Sequence, residues 1–193
     1  IKYAVDAGIT DLGENRVQEL CSKYEKVERE CSWHLIGHLQ TNKVKYIADK
    51  VRMIHSVDRM ELVREIQKRA EKAGRCMDIL IQVNVSGEET KYGMDKKQVY
   101  GFAEEVSGYG NLKVKGLMTI APYTQNTEEI RPVFRELNEI FIDIRRKNID
   151  NIDMEYLSMG MSNDFEAAIE EGANIVRIGT SIFGKRDMPQ LFQ

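Results

Sequence analysis

Two short stretches near the C-terminal end hold the residues most able to bind an anion. Ser158, Gly160 and Ser162 follow Tyr156-Leu157, and Gly179, Thr180 and Ser181 follow the β-branched run Ile175 to Ile178, which brackets Arg177. Small residues let a ligand approach the backbone, whose N–H groups then join the hydroxyls in a donor-rich cradle suited to a phosphate. Either stretch alone reads equally well as an ordinary Ser/Gly loop. Two in succession, after the last two strands of a chain, match the place where parallel barrels bind phosphate.

Other chemistry-bearing residues point to less. His34 and His38 stand four apart, the separation of a helical zinc pair, but Ile36-Gly37 places them across a strand end and its turn. No carboxylate of suitable spacing follows, so no metal is expected and His34 reads as a barrel-lining or ring-side residue. Cys21, Cys31 and Cys76 have neither metal-ligand spacing nor a Cys/His arrangement, as expected of free thiols in a reducing compartment. With 28 basic against 31 acidic residues and no basic block, a nucleic-acid surface is not expected. No apolar run reaches membrane length and no secretory leader is seen, which predicts a cytoplasmic protein.

The elements that must position these residues alternate along the chain. Strands are predicted at Ile9 to Gly13, Trp33 to Gly37, Met53 to Val57, Met77 to Val85, Val114 to Ile120, Tyr156-Leu157 and Ile175 to Ile178. Helices are predicted from about Arg16 to Glu30, from Asp58 to Gly74, from about Lys96 to Val106, over Ile130 to Ile144, and from Phe165 to Glu171. Asp58 with Glu61, and Asn163 with Glu166, resemble capping boxes, while Gly172 closes the last of these helices. Met77 to Val85 is apolar enough to be covered on both faces, as in a parallel sheet. Short strand-then-helix connections favour right-handed parallel crossovers. Ile1 to Gly8 reads as the last turns of a helix, so the chain is expected to lack the first strand of its first unit. Seven strands plus that one make a single α/β domain over residues 1–193, a (β/α)8 TIM barrel. An open doubly wound sheet is the alternative, but no GxGxxG follows the early strands.

Gly13-Glu14-Asn15-Arg16-Val17-Gln18-Glu19, the run Trp33 to Lys43, Gly116-Leu117-Met118, Leu157 to Asp164 and Val176 to Gly184 together resemble, in order and across the whole chain, the YggS/PROSC family of pyridoxal-phosphate homeostasis proteins. The resemblance implies the barrel of the alanine racemase N-terminal domain and pyridoxal 5′-phosphate as its cofactor. It implies that Ser158, Gly160, Ser162, Gly179 and Thr180 hold the phosphate, that Asn15 lies beside the pyridine ring, and that Arg177 faces the ring nitrogen. A cation there disfavours ring protonation and weakens the electron sink on which most chemistry of this cofactor depends. Met118, Met159 and Met161 either pack on the ring or fill the core. The family's Schiff-base lysine lies at the end of the first barrel strand, upstream of Ile1. Without it, the phosphate loops are left to hold the cofactor, or a loop lysine such as Lys91 to react with it. The implied function is a monomeric cofactor carrier, not an enzyme, serving pyridoxal-phosphate-dependent apoenzymes. The alternatives are an amino-acid racemase, which needs a second domain for an opposing base, and a sugar-phosphate enzyme, for which no strand-end carboxylate or lysine pair is assignable.

Overall fold

The computed structural model describes residues 1–27, 29–88 and 90–184. Helix α1 (Lys2–Asp6) leads through Gly8 to β1 (Asp11–Glu14) and α2 (Val17–Tyr24). The chain continues through β2 (Ser32–Leu35), β3 (Met53–Val57), α3 (Met60–Lys72), β4 (Met77–Asn84), β5 (Met94–Asp95), α4 (Val99–Ser107), β6 (Leu112–Met118) and α5 (Arg131–Lys147). It ends with β7 (Ile152–Met161), α6 (Phe165–Glu170), β8 (Ile175–Arg177) and α7 (Thr180–Phe183). Seven parallel strands pair in the order β1-β2-β3-β4-β6-β7-β8, with β5 a side ladder on β4. The barrel wall is nearly closed, and β1 and β8 are the two ends of the path.

Apolar stripes fix the helices against the outside of this wall. Leu62, Val63, Ile66 and Ala70 are the buried face of α3, and Phe134, Leu137, Phe141 and Ile144 that of α5, each at the helical repeat. Inside the wall, Met53, Leu80 and Met118 form a separate buried cluster against Tyr156. Gly116, at φ +150°, lets β6 lie against β7: a β-carbon built there would come within 1.8 Å of the Tyr156 carbonyl oxygen. On the other side of β7, Asn174 works as a clamp. Its amide oxygen accepts from the Leu157 N–H at 2.7 Å and its amide nitrogen donates to the Glu155 carbonyl at 2.7 Å.

The structure corrects several local expectations. The last long strand runs from Ile152 to Met161 rather than over Tyr156-Leu157 alone, so Ser158 and Gly160 are strand residues and not loop formers. Pairing with Met118 on one side and Ile175 on the other occupies the Ser158 backbone, and this tertiary pairing overrides local turn preference. Helix α2 stops at Tyr24, well before Glu30, and its buried residues are Val17 and Leu20. Neither capping box forms. Asp58 binds the Arg59 guanidinium at 2.6 Å instead, and Asp164 rather than Asn163 precedes α6, its carboxylate accepting from the Met161 N–H.

Candidate cofactor site

A cavity of about 970 Å³ lies between the free edges of β1 and β8 and under the loops that follow β1, β6, β7 and β8. Of the residues named from sequence, Asn15, Ser162, Arg177, Gly179 and Thr180 line it, whereas Met118, Ser158 and Gly160 do not. The two loops at the ends of β7 and β8 do meet. The Ser162 hydroxyl oxygen accepts from the backbone N–H groups of Gly179 at 3.1 Å and Ser181 at 3.4 Å, so one oxygen already sits where two amide donors converge. A β-carbon at Gly179 would stand in open space, which leaves that backbone approachable from the cavity. Convergent amides, a hydroxyl and unobstructed access form a phosphate-type donor set. The residues present therefore fit a phosphate-bearing cofactor of this size.

Arg177 projects from the end of β8 into the cavity. Its guanidinium donates to the Ser158 hydroxyl oxygen at 2.7 Å through Nη1 and to the Thr119 carbonyl at 2.8 Å through Nη2. Burial pushes it down to about 10, against the opposing charge of Asp164. It nevertheless remains protonated at neutral pH and is the positive charge at the cavity floor. Beside it runs a line of polar groups of which sequence reasoning named Ser158 and His34 but missed Asp11 and His55; Asp11, His34 and His55 also line the cavity. His55 Nδ1 lies 3.0 Å from the Ser158 oxygen, His55 Nε2 lies 2.9 Å from His34 Nδ1, and His34 Nε2 lies 3.0 Å from the Asp11 carboxylate. Burial pushes His55 well below its ordinary value, with the His34 and Arg177 charges acting in the same direction. Burial also lowers His34, although Asp11 opposes it. The signal in the sequence was His55-Ser56 inside an otherwise apolar strand, two polar residues where core packing alone would take none.

The remaining expectations resolve into wall positions. Met118 is fully buried on Met53 and Leu80, and fills core rather than opening on the cavity. Ser158 is also fully buried, its hydroxyl held between Arg177 and His55 behind the phosphate loops. Gly160, at φ +92°, is needed for close packing, since a β-carbon there would meet that of Ala168 at 2.6 Å. Met159 is fully buried as well, while Met161 lines the cavity. Lys91 pairs with Glu88 at 2.9 Å away from the cavity, and Lys23 is the cavity's lysine among the described residues, its ammonium committed to Glu14 and Glu19. His38 stacks on Tyr92 at 3.8 Å between ring centroids and makes no pair with His34. Among the described residues no group of three His, Cys, Asp or Glu side chains is placed to hold a metal ion, and no helix is long and apolar enough to cross a membrane.

A parallel barrel with an anion cradle after its last two strands and an arginine beneath it defines a class, and the comparisons agree with it. The family described as alanine racemase, N-terminal domain, matches residues 1–187. The pyridoxal phosphate homeostasis protein of Aquifex aeolicus is 51% identical over 187 residues, covering 96% of this chain and 81% of its own length, and that of Pseudomonas aeruginosa is 38% identical. The structure of PipY from Synechococcus elongatus with pyridoxal phosphate bound superposes with a TM-score of 0.87 at 31% identity, over 95% of this chain and 85% of that one. An alanine racemase from Clostridium difficile shares the fold at a TM-score of 0.76 and 14% identity, with this chain spanning 52% of it. The chain belongs to the family of pyridoxal phosphate homeostasis proteins.

Proposed function

We propose that this chain binds pyridoxal 5′-phosphate in the cavity between β1 and β8 and serves intracellular vitamin B6 homeostasis as a carrier of that cofactor, without turning over a substrate. The observation that carries this reading is the meeting of Ser162 with the Gly179 and Ser181 amides above Arg177, in a family whose relatives bear that functional name. Ser162, Gly179 and Thr180 hold the phosphate, Arg177 takes the ring side, and Asn15 flanks it. Met118, Ser158 and Gly160 act from behind the wall. The cofactor supplies an electron sink for charge developing at an amino-acid carbon. A fixed guanidinium near the ring nitrogen opposes protonation there and so restrains that sink, which favours holding the cofactor over using it. The protein works as a monomer in the cytoplasm, and the recipients are apoenzymes that use the same cofactor.

A spectrophotometric titration of the full chain with pyridoxal phosphate tests this reading. Saturable binding near one equivalent, weakened by free inorganic phosphate and by Ser162→Ala, is expected, with no turnover when amino acids are added. Absence of saturable binding at pH 8 would overturn it.

A further inference from the structure

With both imidazoles neutral, the polar line inside the barrel has one proton arrangement that satisfies every link. Arg177 at one end can only donate, and the Asp11 carboxylate at the other can only accept. Ser158 accepts from Arg177, so its own hydrogen goes to His55 Nδ1 at 3.0 Å. His55 then carries its proton on Nε2 and donates to His34 Nδ1 at 2.9 Å, and His34 carries its proton on Nε2 and donates to Asp11 at 3.0 Å. Both imidazoles are neutral, and each is 8% exposed or less, as is Ser158. Five strands contribute one member each, and Asp11 at the far end is solvent-exposed. The Ser158 hydroxyl is held by Arg177 and His55, and its oxygen is one of the two that fix Arg177.

We propose that His55, backed by His34 and Asp11, is a positioning residue for the cofactor site: it orients the Ser158 hydroxyl that holds Arg177, and so ties the grip on the cofactor to proton uptake by the imidazole pair. This rests on the cofactor reading above. A proton arriving from the Asp11 side reverses the links. His34 gains a hydrogen on Nδ1 and donates to His55 Nε2, and His55 switches its hydrogen to Nδ1 and donates to Ser158. The Ser158 oxygen then faces donors from both His55 and Arg177, and its own hydrogen loses its acceptor. A cation, on His34, also now stands three links from the guanidinium. The groups that bear on the pair are Asp11 and Asp78, which favour the proton, and Arg52 and Arg177, which oppose it.

The test compares pyridoxal phosphate affinity from about pH 8 to pH 5.5 for the full wild-type chain, His55→Leu and His55→Gln, with folding checked by circular dichroism. His55→Leu leaves Ser158 without its acceptor and is expected to weaken binding about tenfold at pH 8. Glutamine can accept from Ser158 and donate to His34 but does not titrate, so His55→Gln should restore most of that loss. It should also be flatter than wild type toward acid. The cofactor's own ionisations cancel because each protein meets the same cofactor. Folded His55→Leu that binds like wild type, or wild-type and His55→Gln profiles that run parallel, would overturn the proposal. Should His55→Leu fail to fold, Ser158→Ala takes its place with the same expected loss. Long-range proton–nitrogen NMR of the free protein separates this proposal from the cofactor reading: both rings in the Nε2–H form at pH 8, titrating together, support the chain, and His55 in the Nδ1–H form sinks it even if the cofactor binds.

Discussion

The barrel interior is divided into two unlike halves. Around β4 and β6, Met53, Leu80 and Met118 form an apolar cluster between strands paired on both sides, with the buried Gln82 amide beside it donating to the Tyr92 carbonyl. Around β1 and β8, each of which has a single neighbour, the interior is occupied by His34, His55, Ser158 and Arg177, with Asp11 at the exposed end of the line, and opens into the cavity. β3 is the border, with Met53 in one half and His55 in the other. The same strand-then-helix plan therefore yields a half that stores stability and a half that presents charge. The cavity opens where the wall has its two unpaired edges.

This division can be broken from either side, and the largest effect is expected in the apolar half. Gly116→Ala forces a methyl group against the Tyr156 carbonyl at a φ that side chains avoid, so we expect a loss of about 4 kcal/mol. Chemical denaturation would read it, and a midpoint near that of wild type would contradict the close approach of β6 to β7. Met118→Ala removes a fully buried side chain from the inner cluster and should cost about 3 kcal/mol. Because Met118 does not reach the cavity, the folded fraction should bind cofactor with wild-type affinity. A selective loss of affinity would instead put Met118 at the ring.

The polar half responds to pH. Both histidines are depressed in the folded state, so the unfolded chain binds more protons as the pH falls below its ordinary histidine value of about 6.5. Their contribution to stability is intact above about pH 6.5 and declines below it, by up to about 1.4 kcal/mol per pH unit for each histidine, until the folded values are reached. Denaturation of wild type and His55→Gln between about pH 7 and 5 should give a shallower slope for the variant, and equal slopes would remove His55 from the account. The smallest stability change is expected at the cradle. Ser162→Ala should shift stability by less than about 1 kcal/mol while weakening cofactor binding about tenfold. A large stability loss with unchanged affinity would make Ser162 a loop strut only.

Much of the frame was legible because it rests on local pattern. The apolar stripes of α3 and α5, the continuous apolar run of β4 and the β-branched run of β8 each name their element without knowledge of a neighbour. The cavity-lining positions of Ser162, Gly179 and Thr180 were legible for the same reason, since small residues follow strand ends there. Ser158 and Gly160 were misplaced because they look the same as Ser162 in sequence, and only pairing with β6 and β8 makes them strand. The His34–His55 contact joins residues 21 apart on adjacent strands, and His55 reaches Ser158 across the barrel. Sequence spacing carries no trace of such a meeting, which depends on barrel closure rather than on any local repeat.

Asn174 bears on how the cavity wall moves. β8 is three residues long and pairs with β7 alone, and the Asn174 side chain adds two further hydrogen bonds to the β7 backbone at its start. Local opening of β8 should therefore hinge at Asn174 and fray from Arg177, so that amide hydrogens at the cradle exchange with solvent by peeling of one edge while those of β4 and β6 exchange only when the whole barrel unfolds. Occupancy of the cavity would then be written in the exchange of Arg177 and Gly179 long before it could be read anywhere in β4 or β6.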